Sequence, residues 1–286
     1  MSNELRKKRN RVHLIRTHWA GIVGLLILST LVLMAVLAPW ISPYDPLYDT
    51  DMAIRYQGPS GAHLFGTDQL GRDILSRVIW GARVSLLIGF AAVTIGGVLG
   101  TTAGLVSGYR GGAFDIVVMR FVDILLSFPF MLLAILLAAF FRPGLITMAV
   151  AVGVAISPRF CRISRASTLS ETACDYVLAA RALGVSDTRT CFRHVLPNIL
   201  APLLVTATYQ MATAILTESS LSFLGLGVPP PAATWGTMIE AGRAVLRYAP
   251  WLILAPATAI FVTVFGFNLL GDGLRDYLDP RLRGVL

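Results

Sequence analysis

Few residues in this 286-residue chain are placed for chemistry. The three cysteines, Cys161, Cys174 and Cys191, are too widely spaced to share a metal. Their odd count does not complete a set of disulfides, and they read as structural thiols. The four histidines, His13, His18, His63 and His194, are scattered, with no zinc-ligand pairing. Lysine occurs only at Lys7 and Lys8, so the Gly-x4-Gly-Lys-Ser/Thr loop that cradles nucleotide phosphates is absent. There is no Gly-x-Ser-x-Gly elbow and no mid-span acidic pair of the kind an intramembrane protease needs. The chain therefore reads as a non-enzyme, with no catalytic residue and no metal site.

Ionisable residues near apolar runs are functional candidates by default. Arg120 and Asp123 stand three apart and are expected to pair on one helix. The charge-free run Ile124 to Phe141 follows and reads as continuous helix, which puts Asp123 near the inner interface. Glu218 falls about 31 Å along a helix from Pro197. That places it near the outer interface, lining a gate or solvated. No span shows the buried Asp, Glu or His series of a proton-coupled carrier.

The most informative stretch is polar: DYVLAARALGVSDTRTCFRHVLPN, from Asp175 to Asn198. Ala, Leu and Arg favour a helix up to Gly184. Glycine caps a helix in the left-handed conformation at little steric cost. Ser186 is expected to cap a second helix that starts near Asp187 and ends at Pro197. Ala179, Ala180 and Ala182 give the first helix a small-residue surface, with Arg181, Arg189 and Arg193 available beside it. Such a helical elbow suits docking into a groove on another protein. On physical grounds alone it is equally an ordinary basic loop.

The elements that carry this elbow are apolar. Hydrophobic residues make up 55% of the chain and charged ones 14%, with mean hydropathy +0.70. Soluble domains carry about 25% charged residues, so the class is a polytopic all-α membrane protein. Six spans are expected, at 19–38, 83–107, 121–141, 144–160, 199–217 and 250–270. The first is too long for the core of a cleaved signal peptide. The fourth is expected to continue, kinked at Pro158, into the arginine-rich region. The segment GRDILSRVIWGAR reads as a short amphipathic helix leading into the second span, and 235–247 as another. Of the 24 Lys and Arg residues, 17 fall on the N-terminal side of this topology and 7 on the other. Both termini and the elbow are then cytoplasmic. The net charge of +8 follows from that bias and needs no nucleic-acid partner. Within the second span, Gly96, Gly100, Gly104 and Gly108 repeat every four residues. They predict a tight helix-packing seam.

The elbow resembles the EAA loop of binding-protein-dependent ABC importer permeases: Glu-Ala-Ala, three residues, Gly, nine residues, then Ile-x-Leu-Pro. Ala179, Ala180, Gly184, Leu196 and Pro197 match at the right spacing. Leu178 stands where the motif has Glu, and His194 where it has Ile. The stretches FGTDQLGRDILSRVIWGARVSL (65–86), FVDILLSFPFMLLAI (121–135), ESSLSFLGLGVPPPAATWG (218–236) and APWISPYDP (38–46) are similar to the C-type permease of the dipeptide/oligopeptide/nickel importer family.

The resemblance implies a type I ABC importer permease fold with six transmembrane helices in the inner membrane. It divides the chain into an N-terminal region with the first helix and outer loop (1–80), a permease core (81–275) and a cytoplasmic tail (276–286). The EAA coupling loop spans about 164–197. The implied partners are a B-type permease subunit, two cytosolic ABC ATPase subunits, an extracytoplasmic substrate-binding protein and membrane lipid. ATP and Mg bind the partner ATPases; this chain carries no cofactor. Ala179, Ala180, Arg181, Gly184, Leu196 and Pro197 are the implied ATPase-coupling residues. The implied cargo is a di- or oligopeptide, with nickel or another small solute as the alternative. A secondary carrier, a membrane enzyme and a scaffold subunit fit less of the chain.

Overall fold

The computed structural model describes the backbone of residues 2–278 and the side chains of residues 19–278. The basic residues between Arg6 and Arg16, His13 and His18, and Arg281 and Arg283 of the tail lie outside the described side chains.

The helices, in chain order, are α1 (Ser2–Ile41), α2 (Ile74–Arg110), α3 (Gly112–Ser127), α4 (Phe130–Ala139), α5 (Leu145–Thr172), α6 (Asp175–Ala182), α7 (Asp187–Arg189), α8 (Leu196–Phe223), α9 (Trp235–Gly242) and α10 (Trp251–Leu278). No strand occurs among the described residues. Five helical stretches are long and apolar enough to cross a membrane: Trp19–Ile41, α2, α5, Asp187–Phe223 and α10. A sixth candidate is the pair α3–α4, bent by 94°, whose geometry fits a broken span or a re-entrant loop.

That bend corrects the reading of 121–141 as one continuous helix. Phe128 precedes Pro129 and takes an extended conformation (φ −78°, ψ 138°), as residues before proline prefer. Pro129 also has no N–H to continue the ladder. Pro158 acts differently inside α5. It is buried, and the helix runs through it to Thr172, which puts Arg159, Arg162 and Arg165 on a helix.

A second correction concerns GRDILSRVIWGAR. Its Ile74–Arg83 portion is not a separate helix; α2 is continuous from Ile74 to Arg110, so the division at residue 80 falls inside it. Asp73 caps the start, its Oδ2 accepting from Ser76 N at 2.8 Å. Gly111 and Gly112, both with positive φ, end it.

The core lies between α2, α5 and α8, with Ile88, Val152, Ile156, Val195 and Ile199 among its buried members. Helices α2 and α5 meet along the glycine series. A Cβ on Gly96 would stand 2.5 Å from Gly153 O. One on Gly100 would overlap Ser157 O, and one on Gly104 would overlap Cys161 O. Gly108 faces Arg165 O and Thr168. Backbone therefore rests on backbone along four turns. Cys161 and Cys191 are buried, and Cys174 is half-buried.

At the opposite end from α6, a polar cluster closes the bundle. Trp235 is fully buried; its Nε1 donates to Val78 O at 3.0 Å, pinning α9 to α2. Glu218 lies next to it and is 0% exposed, neither solvated nor lining an open gate. Its carboxylate accepts from Ser85 Oγ (3.2 Å), Ser222 Oγ (2.8 Å) and Ser219 Oγ (3.4 Å). Hydropathy alone gave no sign that hydroxyls on two helices would enclose this carboxylate.

Candidate coupling elbow

Helix α6 begins after Cys174 and ends in a closed turn. Gly184 has φ +75°. Its N–H donates to Arg181 O at 3.0 Å, and Val185 N–H donates to Ala180 O at 3.1 Å. This pair of bonds is the Schellman arrangement, which a glycine in the left-handed region permits. No atom lies within 4 Å of a Cβ at Gly184, so the requirement for glycine is conformational rather than steric.

The next segment departs from expectation. Ser186 makes no side-chain cap bond. The helix that starts at Asp187 does not end at Pro197. It passes through a π-helical stretch, Thr190–Val195, and continues as α8 to Phe223. Pro197 sits in the first turn of α8, and the wider π turn before it accommodates the missing N–H and the ring. Leu196 is partly buried and Pro197 is exposed. The elbow is therefore joined rigidly to a membrane-crossing helix.

One face of α6 is packed and one is free. Val177 and Ala180 are buried, Val177 within the main core. Ala179, Arg181 and Gly184 are exposed. So are two large apolar side chains, Leu178 at 51% and Leu183 at 84%. Leu178 occupies the position where the resembling motif carries Glu.

Two tyrosines brace the elbow. The Arg181 guanidinium stacks 4.6 Å from the centre of the Tyr109 ring, and its Nε donates to Tyr109 Oη at 3.3 Å. Tyr109 Oη donates in turn to Asp187 Oδ1 at 2.9 Å. Arg181 is thus at the surface, as expected, and is also tied back to the end of α2 and the start of α7. On the other side, Tyr176 Oη donates to Glu171 Oε1 at 2.6 Å and accepts from Asn198 Nδ2 at 2.8 Å. Desolvation and the bond to Glu171 push the Tyr176 hydroxyl up to about 12, so it remains a donor at neutral pH. Sequence reasoning missed Tyr109, Tyr176, Glu171 and Asn198. The recoverable signal was the placement of each tyrosine at a helix end, Tyr109 one residue before the end of α2 and Tyr176 second in α6.

Below the elbow, charges link α3 to α5. Arg165 Nε and Nη2 each lie 2.5 Å from an Asp115 carboxylate oxygen, and Arg162 Nη2 lies 2.6 Å from Asp123 Oδ1. Asp123 therefore pairs with Arg162 across helices, not with Arg120 along its own. The packed α3–α5 interface brings a partner closer than helical spacing does.

Five long apolar helices, one broken pair and a braced polar elbow define a multi-pass membrane protein. The chain belongs to the family of binding-protein-dependent transport system inner membrane components, whose model matches residues 100–284. Residues 13–59 match the N-terminal transmembrane domain of oligopeptide transport permease C. The dipeptide transport system permease protein DppC of Alkalihalophilus pseudofirmus is 43% identical over 263 residues, covering 92% of this chain and 86% of the relative. The oligopeptide transport system permease protein OppC of Bacillus subtilis is 44% identical over 268 residues, covering 94% and 88%. Among solved structures, a chain of the MetNI methionine ABC transporter in inward-facing conformations superposes with a TM-score of 0.58 at 20% identity. That match covers 73% of this chain and 96% of the other, and it shows a shared type I importer permease fold. The chain is accordingly an inner-membrane permease subunit of an ABC importer, and ATP hydrolysis falls to partner subunits.

Proposed function

We propose that this chain is the C-type half of a heterodimeric peptide pore and that α6 is its coupling helix. A B-type permease supplies the other half, two cytosolic ATPases engage the elbows, and an extracytoplasmic binding protein delivers the solute. Both termini face the cytoplasm. The observation that carries this reading is the pairing of an exposed apolar knob, Leu178 and Leu183, with a rigid mount. The mount reaches α2 through Tyr109, α5 through Glu171 and α8 through Asn198 and the π turn. A push on the knob is thereby delivered to three crossing helices at once, as a rigid-body two-state transition requires. Ala179 and Gly184 shape the contact; Arg181, Leu196 and Pro197 hold its geometry. The similarity to dipeptide and oligopeptide transport permeases supports a di- or oligopeptide as cargo.

The test is Gly184→Val or Gly184→Pro in the assembled transporter. A β-branched residue at positive φ costs about 1–3 kcal/mol of local strain, and proline, locked near φ −65° and without the N–H that bonds Arg181 O, cannot keep the turn. Both variants are expected to insert and to lose ATP-driven uptake. Normal uptake by either overturns the assignment.

A further inference from the structure

Helix α5 carries Arg159, Arg162 and Arg165 at three-residue spacing, along one side. Two are neutralised inside the chain, Arg162 by Asp123 and Arg165 by Asp115. Arg159 has no carboxylate among the described residues. Its Nη1 donates to Gln210 Oε1 at 3.2 Å, and its guanidinium lies 5.5 Å from the centre of the Phe130 ring. Its Nε–Nη2 edge has no hydrogen-bond partner among the described residues, and the side chain is exposed.

Arg159 stands near the midpoint of α5, roughly 20 Å from either end. Gln210 holds the same place in α8. An arginine within an apolar helix, one turn from the Arg162–Asp123 pair near the inner interface, faces a partner charge or a watered path rather than lipid. Gln210 is only 3% exposed, and its Nε2 has no partner. Because guanidinium only donates, the amide oxygen must face it. Gln210 therefore leaves a buried donor unpaired while it presents its oxygen to Arg159. That is an arrangement for the guanidinium's benefit, not the amide's. A neutral amide orients the charge without quenching it, unlike the aspartates one and two turns along. Phe130 opens α4 immediately after the 94° break and forms a wall on another side.

We propose that Arg159 is an anion-recognition site on the solute's path, taking a carboxylate on its open Nε–Nη2 edge. A guanidinium edge binds a carboxylate through two parallel N–H bonds. For a small peptide the group is the C-terminal carboxylate. The proposal rests on the importer reading given above. One charge with one open edge binds weakly enough to release, as a transit site must.

The test uses the complete transporter in proteoliposomes, with Ala-Ala as the probe. Arg159→Gln is expected to cut the maximal uptake rate about tenfold, as loss of one charged contact implies, with Arg159→Lys keeping at least about a third. Gln210→Glu hands the guanidinium a carboxylate of its own and is expected to match Arg159→Gln. Wild-type uptake by Arg159→Gln, or an equally deep loss in Arg159→Lys, overturns the site. So does failure of the Arg159→Gln complex to retain its partner subunits, which would assign the charge to a partner's carboxylate. If the wild-type transporter takes up no Ala-Ala, the peptide reading fails. The site is then judged by labelling of Arg159→Cys with an anionic methanethiosulfonate. Labelling clearly above the wild-type background supports a watered path, and its absence overturns the site.

Discussion

At the scale of single residues, the elbow depends on side chains whose work is internal. Arg181 appears in the coupling segment by position, yet its guanidinium is spent on Tyr109, and Tyr109 passes the link to Asp187. A stacked cation contributes about 0.5–1 kcal/mol at an exposed site. Tyr109→Phe keeps the ring and loses the hydroxyl bonds; Tyr109→Leu loses both. We expect a graded fall in binding-protein-stimulated ATPase activity, modest for Tyr109→Phe and severalfold for Tyr109→Leu, measured in reconstituted complex. Equal activity across the series would remove this brace from the mechanism. Leu178 replaces the motif's Glu with an exposed apolar surface. The surface presented at that position is thereby apolar, and nothing in the turn depends on the missing carboxylate.

At the scale of elements, the glycines of α2 are not equivalent. Gly97 has room, since a Cβ there meets only Phe160 at 3.7 Å, whereas one at Gly100 overlaps the α5 backbone. Gly97→Ala is expected to leave the melting temperature of the purified protein nearly unchanged. Gly100→Leu is expected to cost at least about 1–3 kcal/mol, as overpacking does, and to reduce recovery of folded protein. Similar behaviour of the two variants would show that α2 and α5 are not in backbone contact. Much of this level was legible in the sequence. Apolar runs located the long helices, and the four-residue glycine period marked the face of α2 that meets α5. Other features were hidden because hydropathy reports composition and not direction. Pro129 turns the chain by 94° within an unbroken apolar run, while Pro197 and Pro158 leave their helices continuous. One proline lies at a junction with an extended neighbour, one in a first turn after a π widening, and one in a helix interior whose neighbours enclose it. Glu218 was hidden for a related reason. Its partner Ser85 lies on α2, far away in sequence, and also accepts from Trp235 N.

At the scale of the whole molecule, the parts arrange along one axis. One end holds the Trp235–Glu218 cluster that fixes α9 on α2 and α8. The middle holds Arg159 with its charge unspent. The other end holds the elbow, whose apolar knob is left uncovered by the described residues. In the proposed reading this knob receives work done by partner ATPases, and the links from α6 to α2, α5 and α8 distribute it. Leu183 is the most exposed large apolar residue among those described and sits at the tip. Its contact is the point on which the proposed coupling turns. A photo-crosslinking residue placed at Leu183 in the assembled transporter measures that contact directly. The predicted product is a covalent adduct with the ATPase subunit. An adduct confined to lipid or to the permease subunits would contradict the coupling role of α6.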